Sequence, residues 1–200
     1  MMKLIRSSIP WSSKIMLTTF IMALFFSFMS SLFREGAGLV ISLTIVLVFI
    51  LIGIIGDTIG LASATAKEEY FRAMASKKIK GAKEATYITR NAPLFSSFFN
   101  DVVGDIAGIV SGAASTSVVF QLGRMINTTE GSLGFIAISV LLTSLIAAVT
   151  VGGKAVCKTI AIYKSTPIIL FTGKILYMFK VVRHVLTFQS FSLSKRKSQH

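Results

Sequence analysis

Asn100, Asp101 and Asp105 lie inside a run, Pro93 to Gln121, that is otherwise apolar enough to cross a bilayer. Carboxylates are costly at that depth, and where they occur they pair with cations, bind ions or relay protons. Asp101 and Asp105 are one helical turn apart, and with Gly104, Gly108 and Gly112 they fall on one stripe that Ala113, Ala114 and Ser115 continue. Glycine at every fourth position admits a second backbone, so the stripe is expected to face protein, with both carboxylates directed into the gap. Asp101 is also close enough to Pro93 to cap the incoming helix, an alternative that does not extend to the deeper Asp105. A third acid, Asp57, stands among Gly53, Gly56 and Gly60 near the end of another apolar run and reads either as a site residue or as an interfacial cap. Lys154, at the end of the last apolar run, reads either as a counter-charge to these acids or as an anchor whose ammonium reaches water.

The elements that must position these groups are helices in a membrane. Of the 200 residues 53% are hydrophobic and only 14% charged, more apolar surface than a soluble core needs. Uncharged or nearly uncharged runs at 15–33, 38–63, 94–122 and 135–153 are each long enough to span about 30 Å of hydrocarbon. The first is longer than a signal-peptide core of about 7 to 15 residues, so it reads as a retained span, with cleavage the alternative. The 21 Lys and Arg residues alternate along the chain: three before the first run, one in the first loop, seven in the second, one in the third and nine after the last run. By the positive-inside rule both termini and segment 64–92 are cytoplasmic in a multi-pass protein of the cell membrane. This alternation accounts for the net charge of +13 without nucleic acid as a partner.

The expected fold is therefore all-α: a membrane domain over 15–188, a basic N-terminus over 1–14, and four transmembrane helices. A cytoplasmic helical hairpin at 64–92 turns near Gly81. Its basic charge reads as a wet face, with anionic headgroups the alternative. Ser165-Thr166-Pro167 opens a basic, apolar helix over 167–188 suited to the membrane interface, and 189–200 reads as a disordered basic tail. At this topology Asp57, Asp101 and Lys154 share a level near the inner boundary, and Asp105 lies about 6 Å deeper. Three carboxylates and one ammonium are thus expected to meet in a cavity open to the inside. The single cysteine, Cys157, provides no disulfide and no metal-ligand pair, and no nucleophile–base constellation, phosphate loop or histidine cluster suggests an enzyme.

Four segments, in this order, resemble the transmembrane domain of the CorC/CNNM magnesium transporters. Gly56-Asp57-Thr58-Ile59-Gly60-Leu61-Ala62-Ser63 is similar to the Gly-Ser-Glu-Thr-Ala-Leu-x-Ser motif at the end of that family's first span. Gly81-Ala82 stands at the turn of its hairpin, and Asn100-Asp101-Val102-Val103-Gly104-Asp105-Ile106 resembles its Gly-Asn-Asn-x-x-Asn-Ile pattern. Gly153-Lys154-Ala155-Val156-Cys157-Lys158-Thr159 stands where the family has Gly-Glu-x-x-Pro-Lys-Thr. The resemblance implies a homodimeric transport domain binding Mg2+ or another divalent cation through the positions of Asp57, Asn100, Asp101 and Asp105. Lys154 occupies the family's acid position, where it serves as a charge-balancing or gating group; alternatively it fills the cation site of a non-transporting scaffold. The family's CBS domains do not follow in this sequence, so nucleotide-linked regulation of the family's kind is expected only where a separate cytoplasmic regulatory partner supplies it.

Overall fold

The computed structural model describes the backbone of residues 2–32, 38–128 and 131–197, and side-chain packing for 9–10, 12–28, 38–128 and 131–181. The described residues are helical throughout, with short turns and no strand among them. The helices are α1 (Met2–Leu32), α2 (Leu39–Thr65), α3 (Glu68–Ser76), α4 (Ala82–Arg90), α5 (Ala92–Ser97), α6 (Asp105–Met125), α7 (Leu133–Tyr163) and α8 (Ser165–Lys197). A π-helical segment, Phe98–Gly104, joins α5 to α6 without interruption.

Three helices are long and apolar enough to cross a membrane among the described residues: Leu39–Thr65, the continuous Ala92–Met125 and Leu133–Tyr163. The apolar part of α1, Ser12–Phe28, is shorter. The turn expected at Arg34–Ala37 lies outside the described residues.

Several boundaries differ from those read in the sequence. Helix α1 runs back through Pro10 to Met2 rather than starting at 15. Helix α7 continues past 153 to Tyr163, because nothing from Lys154 to Tyr163 breaks it. Helix α8 begins at Ser165 and runs to Lys197, well into the tail expected to be disordered; no glycine or proline follows Gly173 to stop it. Residues 198–200 of that tail are outside the described residues.

Helix α2 is the centre of the bundle. Its buried Ser42, Val46, Ile50, Gly53, Asp57 and Gly60 follow helical spacing and face the π segment and α6. Val46 and Ile50 pack with Ala114 and Val118 at one level of this seam. Helix α1 covers the other side of α6, where Ile15, Met22 and Phe26 surround Val102, Ile106 and Val110. Helix α7 packs on α2 and α6, and Ala161 is its one buried residue.

Beyond α2 the chain turns into the α3–α4 hairpin, which closes on α8. Phe71, Ala85, Ile88 and Ile169 form its fully buried core together with Ala62 from α2 and Ala161 from α7. Gly81, at φ 83°, brings the turn so close to α8 that a Cβ there would lie 2.6 Å from the Lys174 nitrogen. Gly173 returns the contact, since its own Cβ would meet the Gly81 carbonyl and the Ala85 nitrogen.

Candidate functional site

Glycines on α2 set the geometry of the site. A Cβ on Gly53 would meet Ala107, one on Gly56 would meet the Phe99 carbonyl and Val103, and one on Gly60 would meet the Asn100 side chain. These three, spaced by three and four residues, let the π segment lie directly against the α2 backbone. The close approach expected of the Gly104–Gly108–Gly112 stripe is made by α2 instead. Gly104 does bury against Asp57, but Gly108 and Gly112 face open space.

The π segment is the physical reason for the difference. Each residue in an i→i+5 turn advances less around the axis than in an α-helix, so a stripe drawn at 3.6 residues per turn does not stay on one face across Phe98–Gly104. Val102 and Gly104 face the bundle, while Asp101 and Asp105 are exposed on the other side. Asp101 accepts a hydrogen bond from the Ser97 hydroxyl at 2.8 Å, within its own helix. The expected convergence of Asp57, Asp101 and Asp105 in one cavity is therefore not what the fold makes. Among the described residues, no three His, Cys, Asp or Glu side chains are grouped so that they could hold a metal.

Asp57, by contrast, is 6% exposed and faces inward. One carboxylate oxygen approaches Gly104; the other receives the Lys154 ammonium at 3.2 Å. Lys154 reaches it because Gly153 lets α7 come close to α2, where a Cβ would lie 2.6 Å from Ile54. This is a buried charge with a charge partner, the arrangement that makes ions tolerable in a low-dielectric interior. Thr58 and Ser63 turn their hydroxyls back onto the α2 carbonyls of Ile54 and Gly60, at 2.6 and 2.7 Å.

Asn100 completes the site one turn along α2. Its amide nitrogen donates to the Ser96 hydroxyl at 3.4 Å, whereas its Oδ1 is buried against Gly60 without a hydrogen-bond partner. An unsatisfied buried acceptor is uncommon and attracts a donor or a cation. The site thus contains one carboxylate, one amide oxygen and one ammonium, placed by α2, the π segment and α7. No protein-family model, curated protein or solved structure matches this chain.

Two features were not picked out from the sequence. The role of Gly53, Gly56 and Gly60 as the packing face was legible in their spacing of three and four residues, which sets small residues on one helix face. Gln121, whose amide donates to the Ser42 hydroxyl at 2.9 Å across α6 and α2, is an amide among apolar residues, and that alone was the available signal.

Outside the spans, Glu68 ties the hairpin together. Its carboxylate accepts from Arg72 at 2.8 Å in its own helix and from Arg90 at 3.0 Å across the turn. The Arg72 hydrogen bond, opposed by desolvation and supported by Arg90, holds Glu68 below the usual glutamate pKa.

Proposed function

We propose that this chain is a multi-spanning membrane protein of the CorC/CNNM transmembrane type in which Lys154 stands where a divalent cation would bind. The observation that carries this reading is the 3.2 Å contact between Lys154 and the buried Asp57. Mg2+ needs about six oxygen donors at about 2.1 Å, and an ammonium already seated on the carboxylate opposes its entry. The function that follows is that of a scaffold or accessory membrane protein whose bundle is locked by its own cation. In this reading α1 is a fourth span and both termini are cytoplasmic in the cell membrane. The homodimer and the separate cytoplasmic partner implied by the resemblance belong to the same proposal.

A second reading has its own support in the unpartnered Asn100 Oδ1 beside Gly60. In it Lys154 is a displaceable gate, and a cation takes the Asp57 and Asn100 oxygens when the ammonium leaves. Calorimetric titration of Mg2+ and Mn2+ into the detergent-solubilised protein separates the two. The locked reading expects no binding by wild type and binding by Lys154→Glu. Wild-type binding that is lost in Asp57→Asn would replace it with the gated reading.

A further inference from the structure

Where the turn between α3 and α4 meets α8, the structure holds a cavity of about 290 Å3. Lys78, Lys80 and Lys83 line it from the hairpin and Tyr177 from α8. None of the three lysines has an acidic partner among the described residues, and all three are exposed. Glu84 is the one carboxylate in the lining, and Lys180 of α8 contacts it at 3.2 Å. The cavity therefore carries a clear positive excess with one hydroxyl donor at its wall. Its shape is fixed, because the Gly81–Gly173 backbone contact pins the turn to α8.

We infer that this cavity binds the phosphate of an anionic membrane lipid. Lysine ammonium groups hold phosphate as point charges, and basic clusters at a membrane surface select anionic headgroups. The surroundings favour a lipid over a soluble phosphate. Helix α8 turns Gly173, Tyr177 and Lys180 to the hairpin and exposes Phe171, Met178 and Phe179 at 65–69% on its outer face, and Ile79 lines the cavity at 41%. Apolar side chains flanking a basic cluster suit acyl chains below a headgroup. The cavity stands at the far end of the short helix α3, about 14 Å of helical rise beyond the point where the chain leaves the membrane-crossing α2.

The test is a thermal-shift titration of the full chain in detergent micelles with dioleoylphosphatidylglycerol, with dioleoylphosphatidylcholine and sn-glycerol 3-phosphate as parallel arms. Wild type should be stabilised by the anionic lipid and by neither of the others. Lys78→Gln/Lys80→Gln/Lys83→Gln should weaken the anionic-lipid response about tenfold or more. Lys67→Gln/Lys158→Gln/Lys164→Gln, which removes the same charge from exposed positions outside the cavity, should weaken it less than about twofold. Should the cavity triple not fold, Lys83→Gln alone is compared with Lys158→Gln, with a loss of about threefold expected for the first only. Equal losses in the cavity and control variants, or no preference for phosphatidylglycerol over phosphatidylcholine, would overturn the inference. A response to glycerol 3-phosphate as strong as that to the lipid would also overturn it, in favour of a soluble phosphate ligand.

Discussion

Removing the Lys154 ammonium should leave Asp57 charged, 6% exposed and without its cation. At 3.2 Å the attraction between the two is about 5 kcal/mol in an effective dielectric of about 20. Deleting one member of a buried pair costs about 3–5 kcal/mol, because the stranded charge remains desolvated. The Lys154 side chain is itself 25% exposed, so water recovers part of the loss, and Lys154→Met should cost about 3 kcal/mol. Asp57→Asn should cost less, about 1–2 kcal/mol, since the long lysine can swing its ammonium toward water. The double variant carries no stranded charge and should lose only about 1–2 kcal/mol, which leaves a coupling of about 2–4 kcal/mol between the two positions. Reversible unfolding in mixed micelles, followed by circular dichroism for wild type, both single variants and the double, measures all four corners of the cycle. Single-variant losses that add to within about 0.5 kcal/mol would refute the reasoning, because charges in contact do not act independently.

Three more outcomes follow from the packing. Gly173→Ala forces a Cβ against the backbone of Gly81 and Ala85 and should cost about 2–3 kcal/mol in the same unfolding assay, whereas Gly152→Ala, with open space around it, should stabilise α7 by about 0.5–1 kcal/mol. Phe71→Ala empties the fully buried centre of the hairpin and should cost about 3–5 kcal/mol, seen first as faster hydrogen exchange in α3 and α4. Glu68 has a lowered pKa, so the stability it lends the hairpin is present above the ordinary glutamate range and is lost as pH falls through its depressed folded-state value. Exchange protection of α3 and α4 should fall on that acid limb in wild type and lose this dependence in Glu68→Gln.

The all-helical class was legible in the sequence because long apolar runs without strand-like alternation leave few alternatives in lipid. The two helices meeting at Gly81 were legible for a local reason: lysine-rich helix formers interrupted by one glycine. The facing of Asp101 and Asp105 was not legible, because a sequence projection assumes 3.6 residues per turn and the chain departs from that at Phe98–Gly104. The π segment lies directly against the α2 glycines, a contact between residues far apart in the sequence that no local window contains. Lys154 shows the same limit from the other side. Snorkelling and pairing fit the sequence equally well, and only the approach of α7 at Gly153 decides between them.

Ala161 gives helix α7 a pivot. It is the one buried residue of α7 and lies in the same core as Phe71, Ile88 and Ile169, while further along the helix Leu142 and Ile146 pack against the Val46–Val118 seam and Phe135 against Phe120. Lys154 is seven residues from Ala161 and Leu133 is 28 residues from it, or about 10 Å and about 42 Å at the helical rise. A tilt that opens the Lys154–Asp57 contact by one ångström therefore swings the far end of α7 by about 4 Å. Such a swing would have to part Leu142, Ile146 and Phe135 from their neighbours, so the packing along the long arm of α7 braces the ion pair.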